Sequence, residues 1–240
     1  MRHPVVSRED WLNARAALLV KEKALMKAQD ALGAEQRALP WIEITTPYVF
    51  QGPDGPVTFA ELFGGKSQLF VHHFMISSAE TTQCVGCSLE VDHTVGLLEH
   101  LAANDITYAC IAPVEVAVIE ALKAKMDWRM PFVSSLGTSF SRDIREGFVP
   151  PGAWPAYDSV FYRDEDGRIF LTWSTSGRGA EAFAGIYRYI DVTPKGRQES
   201  RGLTDWARPR PDYGQGGEVA DNGRYHPPAC GCAAHDAQLA

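Results

Sequence analysis

The residues best equipped for chemistry are two cysteines, in the run Cys84-Val85-Gly86-Cys87. A short apolar run over residues 69–75 precedes them and reads as a buried strand, with a polar connection over 76–83. Behind them, Leu89, Leu97, Leu98 and Leu101 recur at helical spacing, interrupted by Gly96. A cysteine at a helix start sits among free backbone amides at the positive end of the dipole, which favours a thiolate over a thiol. Two intervening residues put the second sulfur one turn away, close enough to close a disulfide. The spacing therefore assigns Cys84 as the attacking thiol and Cys87 as the resolving one.

Other chemistry fits the same residues. A CxxC pair is half of a common zinc site, which takes four ligands. The other close pair is Cys230-Gly231-Cys232, whose single-residue spacing is unlike that of zinc ligands. With His226 and His235 nearby, that pair could bind a soft metal or reach Cys84 as a third thiol. Cys110 lies inside an apolar run and reads as a small core residue. Thr81 stands three residues before Cys84, and Ser77 four before that. This is similar to peroxiredoxins, which carry Pro, Thr and Cys at this spacing; here Ser77 replaces the proline, and Thr81-Thr82 could instead cap the helix. A peroxiredoxin-like thiol peroxidase is thus an alternative to disulfide exchange. A non-catalytic redox-sensing or metal-binding interaction module is a third reading.

The histidines carry less. His72 and His73 are adjacent in the strand before the cysteines and point to opposite faces. One of them could face the site. His93 and His100 share a helix side but lie too far apart to bind a metal without a third ligand. Arg178 and Arg188 read as solvated or paired side chains. No nucleotide-loop, zincin or nucleophile-elbow motif occurs.

The elements that must position the cysteines follow from periodicity. Ser7 suits a helix N-cap with Asp10 three residues on. Trp11, Leu18, Leu25, Leu32 and Leu39 then recur every seven residues. That narrow stripe fits a helix packed on its own domain or a homodimer contact. Residues 43–50 read as a strand, 57–65 as a short strand and one helical turn, and 106–112 as a second apolar strand. Pro113 opens a helix carrying Val116, Ile119, Leu122 and Met126, and residues 132–135 form a short strand. An irregular loop spans 139–157, a hairpin joins 159–163 to 169–173, and a helix covers 180–190. From about Arg208, Gly, Pro, Arg and Asp predominate and little order is expected. The order is that of a thioredoxin-like α/β fold, a central mixed sheet flanked by helices with a long N-terminal helix. Its expected parts are an extension over 1–40, a domain over 41–207 and a tail over 208–240.

Of 240 residues, 45% are apolar and 22% charged, with a net charge of −7 and no basic run, which argues against a nucleic-acid or membrane-surface partner. No signal peptide or spanning segment is legible. Five cysteines do not make a disulfide scaffold, so a cytoplasmic setting is expected.

Several segments in order carry a resemblance. They are Ser7-Arg8-Glu9-Asp10-Trp11-Leu12, Arg37-Ala38-Leu39-Pro40-Trp41, Gly52-Pro53-Asp54-Gly55-Pro56 and His72-His73-Phe74-Met75. The Cys84–Ser88 run, Ser159-Val160-Phe161-Tyr162-Arg163-Asp164 and Asp191-Val192-Thr193-Pro194-Lys195-Gly196-Arg197 follow. Over residues 5–213 the chain resembles a bacterial thioredoxin-like family described as predicted dithiol–disulfide oxidoreductases. The resemblance implies a redox role for Cys84 and Cys87, acting on a protein disulfide or a small-molecule disulfide or peroxide. No cofactor or metal is implied beyond the cysteine pair. Thioredoxins proper carry Trp before the first cysteine and Gly-Pro between the two, where this chain has Gln83 and Val85-Gly86. Their cis-proline facing the cysteines has Pro155 as its nearest counterpart, with Ala156 or Tyr157 in the facing position.

Overall fold

The structure, a computed structural model, describes residues 3–78, 81–149 and 157–228. The chain divides into two compact units, residues 1–41 and 42–240. The first is one helix, α1 (Arg8–Arg37), capped by Ser7, whose Oγ accepts from the Asp10 N–H. None of its residues is buried.

The second unit is built on a sheet. Its strands are β1 (Ile42–Ile44), β2 (Val49–Gly52), β3 (Gly55–Thr58), β4 (Gln68–His73), β5 (Ile106–Ala112), β6 (Phe132–Ser134), β7 (Tyr157–Arg163) and β8 (Ile169–Ser176). They lie in the order β1-β8-β7-β4-β5-β6-β2-β3. β4 pairs parallel with β5 and antiparallel with β7, and β7 pairs antiparallel with β8. α2 (Phe59–Leu62) follows β3, the crossover from β4 to β5 holds α3 (Val85–Val95) and α4 (Leu98–Ala103), α5 (Val116–Met126) joins β5 to β6, and β8 leads to α7 (Ile186–Asp191). A βαβ unit followed by a ββα unit, in the order β8-β7-β4-β5, is the thioredoxin-like fold.

β4 is buried on both faces, which is why it reads as a continuous apolar run. Leu69 and Val71 enter a core with Phe50, Phe59, Phe140 and Phe161. Phe74, just past the strand, enters a second core with Cys87, Val91, Cys110, Ile119 and Phe132. The alternation of strand side chains sends His73 to the first layer, stacked on Phe140, and His72 to the second, beneath α3.

Five expectations change. Residues 43–50 do not form one strand: Pro47 offers no backbone donor, and the halves, β1 and β2, sit far apart in the sheet, β1 on β8 and β2 on β6. Gly96 ends α3, and α4 starts afresh. The closing helix is a 3-10 segment, Gly177–Phe183, followed by α7, with Ala184 and Gly185 between them. The opening of the 139–157 segment holds α6 (Phe140–Asp143), anchored by Phe140 in the first core.

The fifth change concerns the segment after Arg208. Residues 208–228 are ordered: a two-stranded hairpin, β9 (Glu218–Val219) with β10 (Tyr225–His226), packs Val219 and Tyr225 against Val85 and Ala207. Low apolar content misleads here because a few well-placed side chains and backbone hydrogen bonds hold the segment down. Cys230, Cys232 and His235 lie outside the described residues, as does Pro155.

Candidate active site

Cys84 is the N-cap of α3, in extended conformation, and its sulfur lies beside the Gly86 and Cys87 amides. The Thr81-Thr82 capping expectation therefore does not hold; Thr81 is exposed and Cys84 occupies the cap. The Cys84 carbonyl accepts both the N–H and the Oγ–H of Ser88, at 3.0 and 2.8 Å. Gln83, where thioredoxins carry Trp, is buried and donates through Nε2 to Ser88 Oγ at 2.8 Å. These bonds fix the first turn and hence the sulfur.

Cys84 and Cys87 are free thiols, 5% and 0% exposed. A hydrogen bond from the Cys87 side chain, opposed by burial and helped by the Cys87 and Gly86 amides and the Arg224 charge, lowers the Cys84 pKa to about 6. Burial pushes the Cys87 thiol well above its ordinary value, reinforced by its bond to Cys84, although the Met75 N–H donates to its sulfur at 3.4 Å. The pair therefore rests with Cys84 ionised and Cys87 protonated near neutrality. Cys110 is buried and burial raises its pKa, so it stays a thiol in the core.

Beneath α3 lies a group that sequence reasoning missed. Asp158, His72 and Cys110 are direct cross-strand partners on β7, β4 and β5. His72 Nδ1 is 2.8 Å from Asp158 Oδ1 and 3.0 Å from Glu90 Oε1, with all three residues buried. Burial opposes protonation of His72, yet Glu90 and Asp158 together raise its pKa well above the ordinary value. Burial raises the Asp158 pKa to about 7 against the pull of His72, and Glu90 adds to the rise. Three such groups could also bind a divalent cation, since ligand atoms of all three lie within 4.8 Å of one another. Their separations are nevertheless those of hydrogen bonds that share a proton. Two signals point to them: Glu90 falls about one turn after Cys87 on the inward face of α3, and Asp158 directly precedes the run 159–163 that reads as a strand. His73 has a separate life, its Nε2 2.8 Å from Ser159 Oγ, with burial holding it neutral.

Arg224 is the other missed residue. It faces Cys84 in an antiparallel bridge, and its Nη1 donates to the carbonyls of Thr82, at 2.9 Å, and Met75. Of the arginines weighed on sequence, Arg178 pairs with Glu181 at 3.2 Å and Arg188 is exposed. In the Thr193–Arg197 run, Arg197 bonds Asp191 at 2.7 Å and lies over the Tyr187 ring at 3.9 Å, which ties down the end of α7. His93 is turned back on its own helix, with Nδ1 2.6 Å from the Leu89 carbonyl.

Residues 1–213 match the family described as "Bacterial protein of unknown function (DUF899)". The chain belongs to this family. No curated protein matches it. Among solved structures, the DUF899 chain is similar to the peroxidoxin BcpB from Mycobacterium tuberculosis at 15% identity and a TM-score of 0.42, covering 60% of this chain and 94% of that one. It is similar to a thiol:disulfide interchange protein, thioredoxin family protein, from Chlorobium tepidum TLS at 16% identity and a TM-score of 0.38, covering 60% and 96%. A thiol:disulfide interchange protein from Bacteroides sp. matches at 12% identity and a TM-score of 0.39, covering 66% and 91%. The strand order itself identifies the fold. Among the described residues of this DUF899 protein, no helix is long and apolar enough to cross a membrane.

Proposed function

We propose that this protein is a thiol–disulfide oxidoreductase in which Cys84 attacks and Cys87 resolves. The observation that carries the reading is the asymmetry of the pair, with the Cys84 pKa at about 6 and that of Cys87 well above its ordinary value. At neutral pH the Cys84 thiolate attacks one sulfur of a disulfide, whose S–S bond breaks and whose second sulfur leaves as a thiolate. Cys87 gives its proton to the departed thiolate and attacks Cys84 Sγ, releasing the first sulfur as a thiolate that takes its proton from solvent. The substrate gains two electrons and becomes a dithiol; the pair becomes a disulfide, to be reduced again by an external dithiol. Substrates are protein disulfides or small-molecule disulfides. A cytoplasmic setting belongs to the proposal, since the cycle needs a reducing pool.

The test is reduction of 5,5′-dithiobis(2-nitrobenzoate) by the prereduced protein. Cys84→Ser abolishes the reaction, and Cys87→Ser stops at a mixed disulfide on Cys84. An undiminished rate in Cys84→Ser sinks the proposal. Saturable peroxide consumption with sulfenic acid at Cys84, and no disulfide turnover, would favour the peroxidase instead.

A further inference from the structure

What covers Cys84 arrives from far along the chain. Residues 223–225 run antiparallel to 83–85, with Arg224 directly opposite Cys84. Val85 N–H donates to the Gly223 carbonyl at 2.9 Å, and Tyr225 N–H donates to the Gln83 carbonyl at 3.0 Å. Cys84 and Arg224 are therefore a non-hydrogen-bonded pair, whose Cα atoms lie about 4.5 Å apart with their side chains close together. A β-carbon placed on Gly223 would lie 3.6 Å from Cys84 Sγ, so this strap passes over the sulfur. The helix start is covered too: a β-carbon on Gly86 would meet Leu203 at 3.5 Å.

The strap is fastened at several points. Tyr225 is buried with Val219 against Val85 and Ala207, and its hydroxyl donates to the Gly216 carbonyl at 3.0 Å. Arg224 is buried as well, with Nη1 donating to the carbonyls of Met75 and Thr82. Its charge favours the Cys84 thiolate, so the strap belongs to the site in its reactive state.

Resting on the function proposed above, we infer that the strap over residues 223–225 restricts Cys84 to low-molecular-weight disulfides and shuts out those of folded proteins. A mixed disulfide with a protein places the partner cysteine's Cα about 5.5–6 Å from that of Cys84, with more backbone on either side. Arg224 and its neighbours already stand in that shell. Extended protein segments also dock beside a site by pairing main-chain groups. Here the Val85 N–H and the Gln83 carbonyl, which flank the nucleophile, are both spent on the strap. A small disulfide brings no backbone and needs only an in-line approach of one sulfur to Cys84 Sγ.

The exchange balances for such a substrate. The Cys84 thiolate attacks one sulfur, the S–S bond breaks, and the departing thiolate takes the Cys87 proton. Cys87 then attacks Cys84 Sγ, and the second small thiolate leaves and is protonated by solvent. Two electrons pass from the cysteine pair to the small disulfide. The same cover applies to the reductant, so a low-molecular-weight dithiol restores the pair and departs as its own disulfide.

The experiment follows oxidation of the prereduced full chain, by mass, with oxidised 2-mercaptoethanol and with insulin. Each rate is divided by that disulfide's rate with free dithiothreitol, which removes intrinsic reactivity. The expected result is oxidation by the small disulfide and a far lower normalised rate with insulin. Tyr225→Ala strips the strap of its buried aromatic, a loss that raises the lifted population on the order of a hundredfold. The ratio of insulin rate to small-disulfide rate should rise with it, and Tyr225→Phe, which keeps the packing, should leave the ratio where it was. An insulin rate in the unaltered chain that matches the small disulfide's overturns the inference while the oxidoreductase stands. So does a ratio that Tyr225→Ala leaves unchanged. If neither disulfide oxidises the pair, the function itself falls and this inference with it.

Discussion

The distinguishing feature of the candidate site is that one sulfur is ionised by its neighbours while the other is kept protonated by burial. The rate of Cys84 alkylation by iodoacetamide should rise with pH about a midpoint near 6, well ahead of Cys110. Arg224→Ala removes a charge that favours the thiolate, so the midpoint should move up toward the ordinary thiol value of about 8.5. A midpoint at the ordinary value in the unaltered protein would count against a reactive Cys84. Asp158 makes the opposite kind of statement. Its folded pKa of about 7 lies above the ordinary 3.8, so the folded state binds a proton more tightly than the unfolded one. That stability is fully present below the ordinary value and is lost as pH rises through about 7. Asp158→Asn should flatten the decline of the thermal midpoint across this window; an unchanged slope would show that Asp158 is ionised throughout. His72, raised in the same sense, continues the decline at higher pH.

At the scale of elements, what was legible in the sequence is what local physics decides. β5 matches its expected span, 106–112, because a strand buried on both faces is written as an unbroken apolar run. α1 begins where Ser7 caps it, and the succession of apolar run, polar connection, CxxC and helically spaced leucines places Cys84 at the start of a helix. The illegible parts depend on partners distant in the chain. Nothing local says that Glu90 and Asp158 share one histidine, or that Arg224 returns to Cys84 across about 140 residues. α6 is hidden in the same way: four residues inside a Gly- and Pro-rich stretch, fixed by Phe140, whose ring stands edge-on to Tyr48, Phe50 and Phe59 at 4.9–5.2 Å. Phe140→Ala should cost about 3–5 kcal/mol, the usual loss for a buried aromatic. Urea unfolding checks it, and a loss below about 1 kcal/mol would mean that the segment collapses to fill the space.

For the molecule as a whole, two features bear on how it meets other chains. Trp11, Leu18, Leu25 and Leu32 on α1 are each more than half exposed, at coiled-coil spacing, and a second copy is the occupant proposed for that stripe. Sedimentation should give a dimer for the full chain and a monomer once residues 1–40 are removed; one unchanged mass for both would dismiss the idea. The eight-stranded sheet shows the contrary behaviour at its borders. Its outermost strands, β1 and β3, have three and four residues, and Pro56 in β3 has no N–H to offer. Long bare borders invite strands from neighbouring molecules to add on and grow fibrils. Here the same hinge at Pro47 that splits one expected strand into two supplies a short piece near each border. The sheet is thereby closed to runaway growth, and association between copies is left to side chains rather than to the backbone.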